Sequence, residues 1–320
     1  MVSIIIPIYN PGGKLRICLN SIKAQTYHDI EVLMVNDGSN DNSAAVCKEF
    51  AKKDNRFIYI EQENAGVSMA RNSGIAHSHG DYICFVDSDD SVESRYVECM
   101  VEAIKKTHVD IVLQGLNNVY DGRRGNKKEF PNLTVKVDEL NDKMFEELFY
   151  FCGPYCKLFR ADYIHNNKIK FPPKISYGED FVFYIKYLYL CNNISFLANA
   201  FYNYSVAVNG SLSSVRLQPD QFWVNQVNRR GGYKRLRRRY GIARNFYPTE
   251  NKVKLVALRG LISSIKYAQA EMKEYLNIVV SNKDFGFSEI QPVNFSDKII
   301  FLLIKLNNCI SRFILKKIIK

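Results

Sequence analysis

The stretch YICFVDSDDS, residues 82–91, places three carboxylates directly after an apolar run. The aromatic and β-branched residues of its first half are typical of a buried strand. Asp87, Asp89 and Asp90 follow on a short turn, where oxygen ligands can hold Mg²⁺ or Mn²⁺ and leave positions open for substrate phosphates. A solvated acidic turn that caps the next helix is the alternative, because Asp and Ser are common N-cap residues. The patterns on either side of this stretch distinguish between these two interpretations.

Strand and helix patterns alternate on both sides of this stretch. The predicted strands cover Val2–Pro7, Glu31–Val35, Phe57–Ile60, Tyr82–Val86 and Ile111–Leu113, and the predicted helices cover about Leu15–Ile22, Ser43–Lys53, Val67–Ala76 and Arg95–Lys106. This alternation favours a parallel sheet with helices on both faces. Parallel strands end at one edge of their sheet. We therefore expect Tyr9, Asp37 and the Asp87–Asp90 turn to meet there, as in a nucleotide site.

Seven strings, in this order and spacing, resemble the successive motifs of family 2 glycosyltransferases with the GT-A fold. They are SIIIPIYN (3–10), VNDGSNDNS (35–43), ENAGVSMARNSGI (63–75), GDYICFVDSDD (80–90), CGPYCKLFRADYI (152–164), GED (178–180) and YNYSVAVNGSLS (202–213). The resemblance covers roughly the first two thirds of the chain. It implies an α/β, GT-A catalytic domain with a Rossmann-like nucleotide-binding sheet and an acceptor lobe, and a change in composition after about Leu212 bounds this domain at 1–212. Residues 213–320 are then expected to form a basic, mainly helical C-terminal extension.

The first two predicted strands end on residues that suit a nucleotide base. The Asp37 carboxylate can accept a hydrogen bond from an imide N–H, which uracil and thymine have and cytosine lacks, so it suits a UDP or dTDP donor. The resemblance implies the same role. Pro7 and Tyr9 would flank the base, with the Tyr9 ring as a stacking face. A turn-forming role for Asp37 and ordinary packing of Pro7 and Tyr9 at a strand end are the alternatives.

Two further residues are expected to contact the donor from the 63–75 string. Gly66 permits close approach of the backbone to a ligand. Arg71 follows in a predicted helix, from which its guanidinium could reach the nucleotide. An arginine on a solvated helix face is the alternative for Arg71.

The 82–91 stretch would supply the metal site. Asp87 and Asp89 are expected to bridge Mn²⁺ or Mg²⁺ to the donor diphosphate, and Ser88 between them to face the ribose. The cation would offset the negative charge that builds on the leaving nucleoside diphosphate. Asp90 either caps a helix that starts near Ser94 or joins the metal, and the sequence leaves both roles open.

Glu179 and Asp180 offer a base for the hydroxyl that accepts the sugar. A positioned carboxylate that removes this proton typically accelerates attack by a factor of about 10²–10⁴. The resemblance places this role on Asp180. A helix N-terminus is the alternative, because the pair precedes the apolar run FVFYIKYLYL. Both can hold together, and a helix start would favour the ionised carboxylate.

The last third of the chain carries much of the net charge of +11. Residues 229–244 read RRGGYKRLRRRYGIAR, and residues 296–320 have the pattern of a basic amphipathic helix. Charges interrupt its apolar runs too often for a membrane span. We expect this helix to lie on the inner face of a membrane, as part of a cytoplasmic protein. Packing on the core or on a second subunit is the alternative.

Two other classes of protein are alternatives to a glycosyltransferase. A nucleic-acid or anionic-surface binder would use the basic block, with Tyr233 and Tyr240 as stacking side chains, but it leaves the carboxylates unexplained. A sugar-phosphate nucleotidyltransferase needs a Gly-rich phosphate loop after the first strand, where only Gly12 and Gly13 occur. The eight cysteines form no metal-ligand pattern.

The sequence therefore predicts a metal-dependent, inverting glycosyltransferase. A UDP-sugar is the expected donor, and a hydroxyl of a glycan or lipid-linked molecule is the expected acceptor. Cell-surface polysaccharide synthesis is the role that the resemblance implies. No nucleic-acid partner is expected.

Overall fold

The computed structural model of the chain describes residues 1–173, 175, 178–206, 229 and 231–241. The strands are β1 Val2–Ile8, β2 Ile30–Asp37, β3 Phe57–Gln62, β4 Tyr82–Phe85, β5 Ser91–Val92, β6 Ile111–Tyr120, β7 Arg123–Lys128, β8 Leu133–Lys136, β9 Lys157–Arg160 and β10 Asn193–Ser205. The helices are α1 Lys14–Lys23, α2 Ser43–Lys53, α3 Val67–Ala76, α4 Tyr96–Thr107, α5 Asp142–Tyr150, α6 Ala161–Asn166 and α7 Glu179–Leu188. The predicted amphipathic helix at 296–320 and the predicted domain boundary at 212 lie outside the described residues.

The alternation predicted from the sequence is confirmed up to β6. Helices α2 and α3 have the predicted bounds, and the predicted strands and remaining helices of this part are present with shifts mostly at their ends. Every residue of β1 and β2 is buried, as expected for parallel strands covered on both faces. Gly74 permits close packing of α3 against β1, because a Cβ at this position would lie 2.3 Å from Ile5 Cγ2.

The five strands predicted from the sequence are parallel to one another, but strands that were not predicted make the sheet as a whole mixed. Its ten described strands run in the order β3-β2-β1-β4-β9-β6-β10-β5, with β7 paired to β6 and β8 to β10. Strands β1 to β4 are parallel, but β9 lies antiparallel between β4 and β6. The strict strand–helix alternation stops after β6, where Asp121 and Gly122 both have positive φ and turn the chain back into β7.

The chain divides into two compact units, one of 1–141 with 150–208 and one of 142–149 with 209–320. The first holds the sheet. In the described part of the second, Phe145 and Phe149 of α5 pack against the ring of Tyr233, and Phe145 also contacts Tyr240. Tyr233 and Tyr240 are 3% and 1% exposed. These rings are therefore packed against protein, which argues against the alternative in which they stack on nucleic-acid bases.

The described ranges hold no helix that could cross a membrane. None of their helices combines the length and the apolar character that a bilayer span requires.

Candidate active site

The loops that follow β1 and β2 meet, as the sequence predicted. The backbone N–H of Asn10 donates to Ser39 Oγ at 3.1 Å, and the Asn10 side chain accepts from the N–H of Asn40 at 2.7 Å. The turn after β4 joins them through α1, where Cys18 Sγ donates to the Asp87 carbonyl at 3.6 Å. Lys14 Nζ lies 3.9 Å from Asp89 Oδ2. One edge of the sheet thus gathers the ends of β1, β2 and β4.

Arg71 joins this edge to the start of α7. Its Nη2 donates to Asp87 Oδ1 at 3.0 Å, and its Nη1 donates to Asp180 Oδ1 at 2.6 Å and lies 3.6 Å from Glu179 Oε1. Arg71 is 4% exposed, so the alternative of a solvated surface arginine is wrong. Three carboxylates from two distant parts of the sequence therefore share one buried cation.

Neighbouring side chains fix the position of Arg71. Asn72 donates to the Phe171 carbonyl at 2.8 Å and accepts from the Phe171 N–H at 2.9 Å. This pair of bonds holds the Phe171 ring 5.2 Å from the Arg71 guanidinium. The same ring stacks on Phe183 of α7, with centroids 4.1 Å apart. Helix α3 thus positions both the guanidinium and the helix that carries Asp180.

Asp180 lies at the start of α7, as predicted. A helix start favours the ionised carboxylate, whereas the surroundings of Asp180 favour the neutral carboxyl. Burial raises the pKa of Asp180 to about 7, while the Arg71 charge opposes this and the Glu179 and Asp87 charges add to it. Burial lowers the pKa of Arg71, but the negative charges of Asp180, Asp87 and Glu179 outweigh this effect and raise the pKa above the usual value for arginine. The stabilisation of the anion expected at a helix start is therefore opposed by burial. A carboxylate with a pKa near neutrality suits a general base.

Asp90 is held by β10 and has a different role from the predicted cap. The Tyr202 hydroxyl donates to Asp90 Oδ2 at 2.6 Å, and the Ser205 N–H donates to Asp90 Oδ1 at 2.7 Å. Helix α4 begins at Tyr96 without a side-chain cap, so the capping role is wrong. The Tyr202 hydroxyl also accepts from the Asp87 N–H at 3.1 Å. Tyr202 thereby ties the carboxylate turn to β10.

The carboxyl group of Asp89 is partly open to solvent, with 42% of the side chain exposed. Partial desolvation by the surrounding protein raises the pKa of Asp89. The negative charge of Asp87 raises this pKa further, and the positive charge of Lys14 lowers it. A cation would relieve this crowding of carboxylates. In the described part of the chain no group of three or more His, Cys, Asp or Glu residues is placed to hold a metal. Asp87 and Asp89 therefore fit a hard cation only if other oxygens, such as those of a diphosphate, complete its shell.

Asp37 lies at the end of β2 and is 2% exposed. Its Oδ1 accepts from Gln62 Nε2 at 2.8 Å and from the Ala65 N–H at 2.9 Å, and its Oδ2 accepts from the Gly66 N–H at 2.8 Å. Gly66 has φ +86° and ψ 162° at the start of α3, a conformation that glycine tolerates. Asp37 therefore orders the loop before α3, which is a turn-forming role. A carboxylate oxygen can accept two hydrogen bonds, and Oδ2 accepts this one.

The remaining predicted donor residues lie at the same edge. Pro7 is buried within β1, opposite Val35, whereas Tyr9 follows that strand and is 53% exposed. Ser88 is partly buried in the carboxylate turn. An exposed ring at the end of a central strand is available for stacking on a base.

Sequence reasoning missed Tyr202 and Asn72 as residues that organise this site. Tyr202 lies within the 202–213 string, but nothing in that string shows that its hydroxyl contacts Asp87 and Asp90. Asn72 adjoins Arg71, and its partner Phe171 is 99 positions away. Only the fold brings such pairs together.

Comparison with known proteins agrees with this geometry. The profile described as Glycosyl transferase family 2 matches residues 3–166. Glycosyltransferase GlyA of Streptococcus pneumoniae is 34% identical over 224 residues, covering 67% of this chain and 32% of that protein. The poly(ribitol-phosphate) beta-glucosyltransferase of Bacillus spizizenii is 30% identical over 303 residues, covering 93% of this chain and 42% of that protein. The chain thus spans less than half the length of these two relatives.

Among solved structures, residues 1–349 of TarS from Staphylococcus aureus, in complex with UDP-GlcNAc, match with a TM-score of 0.70. The match covers 99% of this chain and 90% of that one at 20% identity. This likeness confirms the α/β, GT-A-like fold with its mixed central sheet.

Proposed function

Because this chain belongs to glycosyl transferase family 2, we propose that it is an inverting glycosyltransferase that moves a sugar from a UDP-sugar to a hydroxyl of a cell-surface polymer. The observation that carries the proposal is the position of Arg71. It holds Asp87, the proposed donor-side carboxylate, and Asp180, the proposed base, on one guanidinium. Donor and acceptor chemistry would then occur on the two sides of a single buried cation.

A UDP-sugar is the donor that the residues favour. The carboxylate oxygen Asp37 Oδ2 suits the imide N–H of uracil, and the exposed ring of Tyr9 suits stacking on the base. The structural relative TarS is solved with UDP-GlcNAc, which supports the same nucleotide. Pro7, Gly66, Arg71 and Ser88 are the other proposed donor contacts.

Asp87 and Asp89 are the proposed ligands of Mn²⁺ or Mg²⁺. When bound, such an ion supplies Lewis-acid stabilisation of the leaving diphosphate. The two carboxylates offer hard oxygen donors, and burial together with the neighbouring Asp87 charge raises the pKa of Asp89. Lys14 adds a cation 3.9 Å from Asp89, so the chain also supplies positive charge of its own beside the proposed diphosphate position.

Asp180 is the proposed general base. It takes the proton from the acceptor hydroxyl while that oxygen attacks the anomeric carbon from the side opposite the leaving nucleotide. One displacement with one base inverts the anomeric configuration. Arg71 orients the Asp180 carboxylate through Nη1 and leaves Oδ2 for the hydroxyl.

The acceptor is proposed to be a polymer with free hydroxyls. The Bacillus spizizenii relative acts on poly(ribitol-phosphate), as its name states, and it covers 93% of this chain. A polymer that alternates polyol and phosphate is therefore the first acceptor to test. The basic amphipathic pattern of 296–320 supports contact with an anionic membrane surface; these residues lie outside the described part.

Release of nucleotide from a panel of sugar donors tests the proposal. Purified protein with Mn²⁺ should release UDP from one or more UDP-sugars, and more slowly or not at all from GDP-, CDP- and ADP-sugars. Addition of poly(ribitol-phosphate) should accelerate the release. Turnover restricted to another nucleotide would overturn the assignment of Asp37, and absence of turnover across the panel would overturn the proposed activity.

A further inference from the structure

A cavity lies within the unit formed by 1–141 and 150–208. Its volume is about 480 Å³. Its polar and aromatic lining includes Glu93, Arg124, Lys127, Asn132, Asn199 and Phe201. We call this cavity the bulge groove.

The groove exists because β10 bulges away from β6. The two strands pair at Leu197 with Gln114 and again at Tyr202 with Leu116. Four residues of β10, 198–201, therefore stand opposite Gly115 alone. Gly115 is required there, because a Cβ would lie 2.0 Å from the Lys128 carbonyl oxygen of β7. The bulge and the β6–β7 hairpin form the walls of the groove.

Hydrogen bonds hold the bulge in place. The Ala198 N–H donates to Asn132 Oδ1 at 2.7 Å, and Asn117 Nδ2 donates to the Ala200 carbonyl at 2.6 Å. The Phe201 carbonyl accepts from the Glu93 N–H at 2.8 Å. Because side chains anchor both ends of the bulge, the groove is preformed. Bulges of this kind are common next to active sites, where they re-aim side chains.

The groove adjoins the carboxylate turn. Strand β5, Ser91–Val92, directly follows Asp90 and pairs with Tyr202 and Asn203 of β10. The Tyr202 hydroxyl contacts Asp90, whereas the preceding residue, Phe201, lines the groove. Because Phe201 and Tyr202 are consecutive residues of β10, this strand connects the groove to the carboxylate turn.

The chemistry of the lining favours an anionic, hydroxylated ligand. Arg124 and Lys127 come from β7, whose sequence RRGNKK places four cations in six residues. They pair with Glu93 and Glu129. All four side chains of these pairs are more than a third exposed, so each pair contributes little and can exchange for a phosphate. Asparagine amides beside them can donate to and accept from hydroxyls.

We propose that the bulge groove binds a phosphodiester-linked segment of the acceptor polymer, away from the hydroxyl that receives the sugar. This inference rests on the proposed function for the identity of the acceptor. Arg124 and Lys127 contact the phosphate, and the asparagines contact polyol hydroxyls. A chain long enough to fill both sites binds more tightly than a short one, because the second contact is intramolecular once the first is made.

The test compares two double variants of β7. Arg124→Gln with Lys127→Gln removes the two cations of the groove. Arg123→Gln with Lys128→Gln removes the same charge from the same strand but spares the lining. The measurements are direct binding of poly(ribitol-phosphate) chains without donor, the KM and kcat for long and short chains, and hydrolysis of UDP-sugar without acceptor.

The groove variant should bind long chains about tenfold more weakly, or worse, since charge-assisted hydrogen bonds are lost. Its KM should rise for long chains and stay unchanged for short ones, with donor hydrolysis and kcat preserved. The control variant should stay within about twofold of the wild type. Equal weakening in both variants, or equal affinity of the wild type for uncharged dextran, would overturn the proposal. A wild type that binds the polymer yet hydrolyses no nucleotide sugar would overturn the proposed activity and leave the groove as a polymer site.

Discussion

Arg71 Nη1 lies 2.6 Å from Asp180 Oδ1, although the two residues are 109 positions apart in the sequence. The other terminal nitrogen of the same guanidinium reaches Asp87 at 3.0 Å. Helix α3 therefore sets the distance between the end of β4 and the start of α7. A donor bound at the end of β4 and an acceptor activated at the start of α7 would be held at a fixed distance from each other by the Arg71 side chain.

Removal of this cation should destabilise the fold. Arg71→Met leaves three carboxylates, of Asp87, Glu179 and Asp180, without their shared partner, and loss of one member of a buried charge pair costs about 3–5 kcal/mol. Urea unfolding should show this loss. Arg16→Met, which breaks an exposed pair with Glu49, is the matched control and should change the unfolding free energy little. Equal changes in the unfolding free energy for the two substitutions would show that the buried Arg71 cluster stabilises the fold no more than an exposed ion pair does.

The rate of transfer should depend on the protonation of Asp180. Burial raises its pKa to about 7, and only the ionised carboxylate can accept the hydroxyl proton. Because this ionised fraction grows with pH, kcat/KM should rise through about pH 7 and level off above it. The pH profile of kcat/KM, measured with the metal concentration held constant, checks this. A profile without an inflection between pH 6 and 8 would exclude Asp180 as the titrating base.

The Tyr202 hydroxyl should stabilise the carboxylate turn. Tyr202→Phe keeps the ring, which contacts Tyr96 and Tyr155, but removes the bonds to Asp90 and to the Asp87 N–H. Loss of buried hydrogen bonds should cost about 1–3 kcal/mol. Tyr120→Phe at an exposed position is the control for the thermal unfolding measurement. Weaker Mn²⁺ binding in the presence of UDP should accompany the lower stability, and unchanged binding would limit Tyr202 to a structural role.

The metal assignment predicts a matched pair of results at two aspartates. Asp89→Asn should weaken Mn²⁺ binding in the presence of UDP, because an amide oxygen is a poorer ligand for a hard cation. Asp121 lies in the exposed β6–β7 turn. The control variant Asp121→Asn should therefore bind the ion as the wild type does. Electron paramagnetic resonance of Mn²⁺ measures this binding directly. Full transfer activity in excess chelator would overturn the assignment.

Much of the sheet before β6 could be predicted from residue patterns. Apolar strands and helices of period 3.6 alternate clearly from 1 to 113, and the loops after β1 and β2 meet through Asn10 and Ser39 because parallel strands end at one edge. The family resemblance was also confirmed by the profile match to residues 3–166, which covers the first five of the seven strings. Local patterns are sufficient where each element is long and regular.

The position of β9 and the partners of the site residues could not be predicted in this way. Lys157–Arg160 is four residues long, too short for periodicity to show that it inserts antiparallel between β4 and β6. The bond between Tyr202 and Asp90 spans 112 positions, and no spacing rule connects them. Arg71 gives no sign in the sequence of its burial, because its partners come from two other elements.

The most direct test of the account is sugar transfer from a UDP-sugar by the wild type and by Asp180→Asn. Asn is nearly isosteric with Asp but cannot take the hydroxyl proton. We expect transfer to fall by about 10² or more in this variant and UDP-sugar binding, measured by calorimetry, to be unchanged. Asp162→Asn, at an exposed position, should leave transfer intact. The wild-type product should have the inverted anomeric configuration by NMR. Near wild-type transfer by Asp180→Asn, or a product that retains the donor configuration, would contradict this account.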